Sequence, residues 1–282
     1  MSRNEGLMNS EYRLEISAVT DPGVKRTNNE DSIGTEAALG LTVVADGMGG
    51  YEGGEIASAL AVSTIMSELP ERIEQLKKKH LNDDSIEYSV QSLAVRDVIK
   101  KSNEIIYNAA KNEPQYQGMG TTIVLALFYD HRLTIAHVGD SRMYRLRDDQ
   151  LELITVDHTL MQQLIERGFY TAQEARESMN KNLVIRALGT DPEVEVDIQE
   201  DIALPGDIYL LCSDGLNDMI DDGEIYLTLK RYNDNLDLAA AELVKLANKK
   251  GGKDNVSVIL ARPVKTSSTT LGWIDKVTDW FF

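Results

Sequence analysis

The sequence predicts a mixed α+β fold built around a β-sandwich. Strand-like segments come first, two helical segments follow, and strands then return, which differs from the regular strand and helix alternation of a parallel sheet. Two apolar, β-branched runs at 121–128 and 133–138, separated only by Tyr129–Arg132, have the spacing of an antiparallel hairpin. The length suits one large domain or two small ones, and we find no internal repeat and no domain linker before Pro263.

The elements are expected in the following order. Residues 15–20 alternate like a strand up to a turn at 21–23, and residues 41–45 form a short apolar strand that stops at Asp46-Gly47. Apolar residues then recur at helical spacing in two groups: Ile56, Leu60, Ile65 and Leu69 before Pro70, and Leu93, Val98, Ile105 and Ile106. A solvated connection is expected at 77–85.

In the second half, the runs at 143–146 and 151–156 are expected to extend the hairpin into a meander. The polar stretch 157–190 is interpreted as one short helix with loops on either side. The remaining predictions are strands at 194–198, 208–212 and 256–261 and a helix at 236–248.

Composition excludes several kinds of protein. The 282 residues contain 46 Asp and Glu against 29 Lys and Arg, a net charge of −17 that repels nucleic acids and anionic membranes. Cys212 has no cysteine partner for a disulfide, and one Cys with four His is too few for a structural zinc site. Without a signal-like N-terminus or an apolar run of about 18 residues, we expect a cytoplasmic protein.

Acidic residues recur where predicted strands begin or end. They are Glu30, Asp31, Asp46, Asp140, Asp214 and Asp254. Any one of them is compatible with ordinary turn chemistry. If they converge, however, their mutual repulsion would raise their pKa values unless a multivalent cation neutralised them. An all-oxygen ligand set favours Mg²⁺ or Mn²⁺.

Six short blocks, in order, resemble the metal-dependent protein phosphatase (PPM) family, protein phosphatase type 2C group, and its short bacterial serine/threonine phosphatases in particular. The blocks are Thr20–Gly23 with Arg26–Asp31 (RTNNED), Val44–Gly50 (VADGMGG), Gly118–Thr122 (GMGTT), Val138–Arg142 (VGDSR), Cys212–Leu216 (CSDGL) and Asp254–Val258 (DNVSV). The resemblance covers Ile16–Pro263. It implies a catalytic domain at 14–263, with a flap at 157–190, between an N-terminal extension (1–13) and a C-terminal tail (264–282).

The resemblance implies a central antiparallel β-sandwich flanked by helix pairs, an αββα four-layer fold with two metal ions at one end. Carried over by position, Asp46 would bridge the two metals, and Asp214 and Asp254 would complete the first. Glu30 and the carbonyl oxygen of Gly47 would hold the second.

The other implied roles concern water, phosphate and a third ion. Asp31 would orient metal-bound water, and Arg26 would bind the substrate phosphate through its guanidinium. A third metal, found in many bacterial members, would use Asp140 with Asp214. Met48 stands where eukaryotic relatives have a histidine proposed as the proton donor, so the general acid is left open.

The implied activity is hydrolysis of phosphoserine and phosphothreonine in proteins by water activated between two Mg²⁺ or Mn²⁺ ions, without a phosphoenzyme, opposing a bacterial kinase. A pseudophosphatase or binding module on the same fold and action on a small phosphorylated molecule are the alternatives.

Two other classes are excluded by single positions. A nucleotide-binding glycine motif would need glycine at position 52, which is Glu52, and a cysteine phosphatase would need an arginine at position 218, which is Asp218.

Several residues keep two interpretations. His137 is expected to be a sheet residue, and His158 either is structural or has a role in anchoring the flap or contacting the substrate. Arg142 and Arg186 are expected to pair with nearby acids. The tail has an apolar stripe that would dock on its own domain, on a partner or on a membrane surface: Trp273, Ile274, Val277, Trp280 and Phe281.

Overall fold

The computed structural model describes residues 12–50, 52–79, 88–171, 174 and 183–266. Its strands are β1 (Tyr12–Asp21), β2 (Asp31–Glu36), β3 (Leu41–Met48), β4 (Gly120–Thr121), β5 (Ile123–Tyr129), β6 (Arg132–Val138), β7 (Arg142–Arg147), β8 (Gln150–Leu153), β9 (Asp197–Ile202), β10 (Ile208–Cys212) and β11 (Val256–Lys265). Its α-helices are α1 (Gly53–Lys79), α2 (Val90–Asn112), α3 (Leu160–Glu166), α4 (Asp214–Asn217), α5 (Asp222–Arg231) and α6 (Leu236–Lys249). The predicted tail stripe lies outside the described residues.

The strands form two antiparallel sheets. The first has the order β1-β11-β10-β7-β8, and the second has the order β2-β3-β5-β6-β9, with β4 paired to β3. Alternating side chains divide each strand between two layers of core. In β3, Val44 lies in the core between the two sheets, whereas Val43 packs against α1 and α2. In β10, Leu211 lies in the same core between the sheets, whereas Leu210 packs against α5 and α6. The predicted α+β sandwich with flanking helix pairs is therefore confirmed.

Helix α1 continues through Pro70, where the sequence suggested an end. Proline removes one backbone donor from the helix, but Leu69, Ile73 and Leu76 stay on the buried face and pack in the same cluster as α2. Burial of this continuous apolar face outweighs the missing hydrogen bond. The predicted connection at 77–85 is therefore partly wrong, because α1 runs to Lys79.

Two strand predictions are also corrected. The prediction that residues 143–146 and 151–156 extend the hairpin into a meander is wrong. Strand β6 pairs with β9, whereas β7 lies in the other sheet and pairs with β10. The strand predicted at 194–198 instead spans Asp197–Ile202, because its ladder with β6 runs from the pair of Asp197 with His137 to the pair of Ile202 with Arg132. The hairpin of β5 and β6 and a short helix within 157–190, α3, are confirmed.

The register places the strand ends that carry acids at one end of the sandwich. Asp31 and Asp46 face each other across β2 and β3. In the other sheet, Cys212 at the end of β10 pairs with both Arg142 and Val258, so the segments that hold Asp140, Asp214 and Asp254 meet beside it. This end of the sandwich is therefore the candidate site.

Candidate active site

Six acids form what we call the carboxylate cluster: Glu30, Asp31, Asp46, Asp140, Asp214 and Asp254. Burial raises the pKa of Asp46 and Asp214 well above the ordinary value, and repulsion from neighbouring acids of the cluster raises both further. Burial, the largest cause, raises the pKa of Asp31 to about 6, and burial followed by the charge of Asp157 raises that of Asp140 to about 7. The fold thus concentrates negative charge where it is poorly hydrated.

Asp31 links the two sheets. Its Oδ2 accepts hydrogen bonds from Ser213 Oγ at 2.8 Å, directly after β10, and from Ser257 Oγ at 2.6 Å, in β11 of the opposite sheet. Its Oδ1 is buried, and no donor among the described residues reaches it. One oxygen of Asp31 is therefore structural, and the other is left for a water molecule or a proton.

The backbone of Asp46 is held by the GMGTT block. Its amide donates to Thr122 Oγ1 at 3.1 Å, and its carbonyl oxygen accepts from Thr122 N and Thr121 Oγ1, each at 2.9 Å. Thr122 Oγ1 also lies 2.7 Å from the hydroxyl of Ser141, next to Asp140. These contacts fix two acids of the cluster relative to each other.

Glu30 lies against the start of α1 and against Gly47. A β-carbon on Gly54 would lie 2.8 Å from Glu30 Oε2, and one on Gly47 would lie 2.1 Å from the Gly54 carbonyl oxygen. Glycine is thus required where Glu30, the loop after β3 and the helix start meet. The structure brings together Glu30 and Gly47, the pair expected to share a metal.

Asn255 holds the loop that carries Glu30. Its Oδ1 accepts from Glu30 N at 2.8 Å, while its Nδ2 donates to the carbonyl oxygens of Pro22 at 3.0 Å and Asn28 at 2.8 Å. Sequence reasoning assigned no role to Asn255, Ser213 or Ser257, although all three lie within or directly beside the quoted blocks. Their role depends on contacts across the sheets.

Replacement of Asn255 by aspartate is expected to lower activity about tenfold or more and to destabilise the protein by about 1–3 kcal/mol. The side chain keeps its size and its acceptor for Glu30, but two donors become an oxygen facing two carbonyl oxygens. Phosphatase assays and thermal unfolding will measure both effects. Asn233→Asp, on the surface between α5 and α6, is the matched control, and equal behaviour of the two variants would contradict the role of Asn255.

Arg26 is paired with an acid of the cluster. Its Nη2 lies 2.7 Å from Asp254 Oδ2, and the two side chains are 52% and 39% exposed. That hydrogen bond, followed by the charge of Asp254, raises the pKa of Arg26. Arg26 is therefore a permanent cation at the open side of the cluster, held by an acid that is also a candidate metal ligand.

The base of the flap is tied to the end of β6. His158 and Gly139 exchange two hydrogen bonds: the Gly139 amide donates to His158 Nδ1 at 3.0 Å, and the His158 amide donates to the Gly139 carbonyl oxygen at 2.9 Å. Arg142 makes a bidentate ion pair with Asp157, and Arg186 pairs with Asp197, as expected for both arginines. His158 thus joins the start of the 157–190 stretch to the end of β6 through both its side chain and its backbone.

In the described part of the chain, His137, His158 and Asp197 form a group of potential metal ligands, with one ligand atom from each lying within 4.8 Å of the other two. They are poorly arranged for an ion. The two rings are stacked with an interplanar angle of 18°, so their in-plane lone pairs do not converge, and Asp197 is already paired with Arg186. His137 is, as expected, a buried sheet residue, bonded to the carbonyl oxygen of Val156.

The carboxylate cluster fits hard divalent cations better. It offers only oxygen ligands, its members repel one another, and Asp31 Oδ1 is buried without a donor from the described residues. The charges of Asp31, Asp140, Asp214 and Asp254 all act on Asp46, so these acids face a common region. Asp218 adds to the negative charge there, since it raises the pKa of both Asp140 and Asp214.

Comparison with known proteins agrees with this geometry. Residues 24–254 match the family model described as protein phosphatase 2C. The serine/threonine protein phosphatase PstP of Mycobacterium tuberculosis is 39% identical over 249 residues, which are 88% of this chain and 45% of PstP. The serine/threonine phosphatase stp of Listeria innocua is 35% identical over 256 residues, 90% of this chain and 95% of that protein.

A solved structure shows the same fold. The catalytic domain of PstP in complex with two manganese ions superimposes with a TM-score of 0.75 and 37% identity, covering 90% of this chain and 99% of that domain. The chain thus spans less than half of full-length PstP, but almost all of its catalytic domain and of the listerial relative.

Proposed function

Because the chain belongs to the protein phosphatase 2C family, we propose that it hydrolyses phosphoserine and phosphothreonine in proteins with the help of Mg²⁺ or Mn²⁺. The observation that carries this proposal is the carboxylate cluster, whose buried acids come from both sheets and have raised pKa values. A binding module without catalysis would not need to retain all six acids at such an electrostatic cost.

The acids would divide between two ions. Asp46 would bridge them, Asp214 and Asp254 would complete the first site, and Glu30 with the Gly47 carbonyl oxygen would complete the second. When bound, such ions lower the pKa of a water molecule and neutralise charge on the phosphoryl group. Asp140 with Asp214 would hold a third ion.

The chain's own side chains supply positioning. Asp31 is held rigidly through Oδ2, so its Oδ1 would accept a proton or a hydrogen bond from water at a fixed place. Arg26 would exchange its bond to Asp254 for the substrate phosphate, since Asp254 is then engaged by a cation. Met48, opposite Gly120 in the β3–β4 pair, has no proton to donate, so the leaving oxygen must take its proton from elsewhere.

The direct test is metal removal with a phosphothreonine peptide and an aryl phosphate as substrates. EDTA is expected to abolish hydrolysis of both, and Mn²⁺ in excess is expected to restore it. Hydrolysis that survives chelation would exclude the proposal. Restored hydrolysis of the aryl phosphate alone would favour a small phosphorylated molecule as the substrate, and no hydrolysis at all would favour the pseudophosphatase.

Arg26→Ala is expected to raise KM for a phosphopeptide about ten- to a hundredfold with a smaller change in kcat, because a charge-assisted bond to the phosphate is lost. Its metal affinity should not fall, since Asp254 loses a competing cation. Steady-state kinetics and Mn²⁺ titration measure these two effects. Lys25→Ala, the exposed neighbour, is the control, and an unchanged KM in Arg26→Ala would rule out phosphate binding by Arg26.

The cellular setting is also a proposal. Relatives of similar size are bacterial serine/threonine phosphatases, so the substrates would be phosphoproteins made by a kinase of the same cell, and the enzyme would work in the cytoplasm. Within the described ranges, no helix combines the length and apolarity that crossing a bilayer requires.

A further inference from the structure

A pocket of about 480 Å³ is lined by Asn28, Glu52, Gln115 and Tyr116. We call it the Tyr116 pocket. None of these four residues belongs to the proposed metal or phosphate machinery. The pocket therefore requires an explanation of its own.

Each segment that lines the Tyr116 pocket is close in sequence to an acid of the carboxylate cluster or to a residue that bonds to one. Asn28 stands two residues from both Arg26 and Glu30, so its Cα lies no more than about 7.6 Å from theirs. Its carbonyl oxygen is also held by Asn255 Nδ2 at 2.8 Å. The pocket is thus within reach of residues that flank a phosphorylated side chain bound at Arg26.

The other two walls of the pocket, formed by Glu52 and by the turn that contains Gln115 and Tyr116, also lie close to the candidate active site. Glu52 lies between the loop after β3 and the start of α1, and a β-carbon on Gly53 would lie only 3.1 Å from Met119 Cβ, so the two walls are in close contact. Tyr116 accepts the Met119 amide on its carbonyl oxygen at 3.0 Å. The same turn leads directly into Thr121, which bonds to Asp46.

The chemistry of the lining selects a cation. Glu52 supplies the one formal charge among the four lining residues, and Tyr116 supplies an aromatic ring suited to a cation–π contact. The amide nitrogen of Gln115 donates to Glu113 Oε2 at 3.0 Å, so a second carboxylate lies next to one of the lining side chains. Acceptors, an aromatic face and negative charge fit an ammonium or guanidinium group.

We propose that the Tyr116 pocket binds a lysine or arginine side chain that flanks the phosphoresidue of the substrate. The inference rests on the proposed phosphatase function and specifies its substrate class: phosphoproteins with a basic residue close to the phosphoserine or phosphothreonine. Glu52 and Tyr116 are specificity residues in this scheme, because they contact the substrate away from the reacting phosphate.

The test uses phosphothreonine peptides that differ only in one flanking residue, lysine, alanine or glutamate, moved along both sides of the phosphoresidue. With the wild-type protein in Mn²⁺, kcat/KM is expected to be about tenfold higher for lysine than for glutamate at one or two positions. Glu52→Gln should reduce this ratio to about twofold, and Glu52→Lys should invert it. Tyr116→Leu should lower kcat/KM on the lysine peptide more than on the alanine peptide.

Glu242→Gln is the matched control, because it removes the same charge from α6, where Glu242 pairs with Lys245. It should keep the wild-type ratio. A ratio near one at every position, or a ratio that Glu52→Gln leaves unchanged, would overturn the inference while Mn²⁺-dependent hydrolysis of the peptides still supports the proposed function. Loss of all hydrolysis in the wild-type protein would instead contradict the proposed function.

Discussion

Asp46→Asn is expected to lower kcat about a thousandfold and, in EDTA at pH 8, to raise the thermal midpoint by about 2–5 °C. Asp46 is the proposed bridging ligand, and loss of its charge removes several kcal/mol of transition-state stabilisation, at 1.36 kcal/mol per tenfold. The opposite effect on stability follows from burial and from repulsion by neighbouring acids, which already raise the pKa of Asp46 well above its ordinary value.

Two measurements separate these effects. Steady-state kinetics and Mn²⁺ titration report the loss of function, and thermal unfolding of the metal-free protein reports the relief of repulsion. Asp234→Asn, a change of the same kind at an exposed position between α5 and α6, should alter neither. A kcat within tenfold of wild type, or an Asp46→Asn protein less stable than wild type in EDTA, would contradict the role of Asp46.

The stability of the metal-free protein is expected to fall as pH rises from 6.5 to 8. Burial raises the pKa of Asp31 to about 6 and that of Asp140 to about 7, above the ordinary value of 3.8 for an unfolded aspartate. The folded state therefore binds protons more tightly than the unfolded state, and its advantage is lost as pH rises through these values. We expect the thermal midpoint in EDTA to fall by several °C, on the order of 1 kcal/mol or more.

Mn²⁺ should reverse this trend, because metal ions bind the deprotonated carboxylates and stabilise the folded state more as pH rises. Below about pH 6.5 the buried His137 and His158, whose pKa values burial lowers, act in the opposite direction. The thermal midpoints are therefore compared only between pH 6.5 and 8. Asp140→Asn should reduce the fall in EDTA, and a midpoint that rises from pH 6.5 to 8 without metal would contradict the electrostatic account.

Much of the fold was predictable because its determinants are local. The helical spacing of α2 and α6, the hairpin of β5 and β6, and the apolar run of β3 each follow from neighbouring residues. The missed helix α5 also has a local indication, since Asp221 and Glu224 form a capping box. The continuation of α1 past Pro70 was not predictable in this way, because it depends on apolar residues that meet α2.

The sequence by itself determined the family and the candidates for its chemistry: the six ordered blocks identified the family, and the acids at strand ends are the proposed ligands. Only the tertiary structure decided how those acids are held, with Asp31 fastened by Ser213 and Ser257, and Asn255 supporting the Glu30 loop. It also decided that β7 crosses to the opposite sheet and that Glu52 and Tyr116 share a pocket. The physical reason is that residue type and spacing act over a few positions, whereas burial, repulsion and hydrogen bonding between sheets join residues that are distant in the chain.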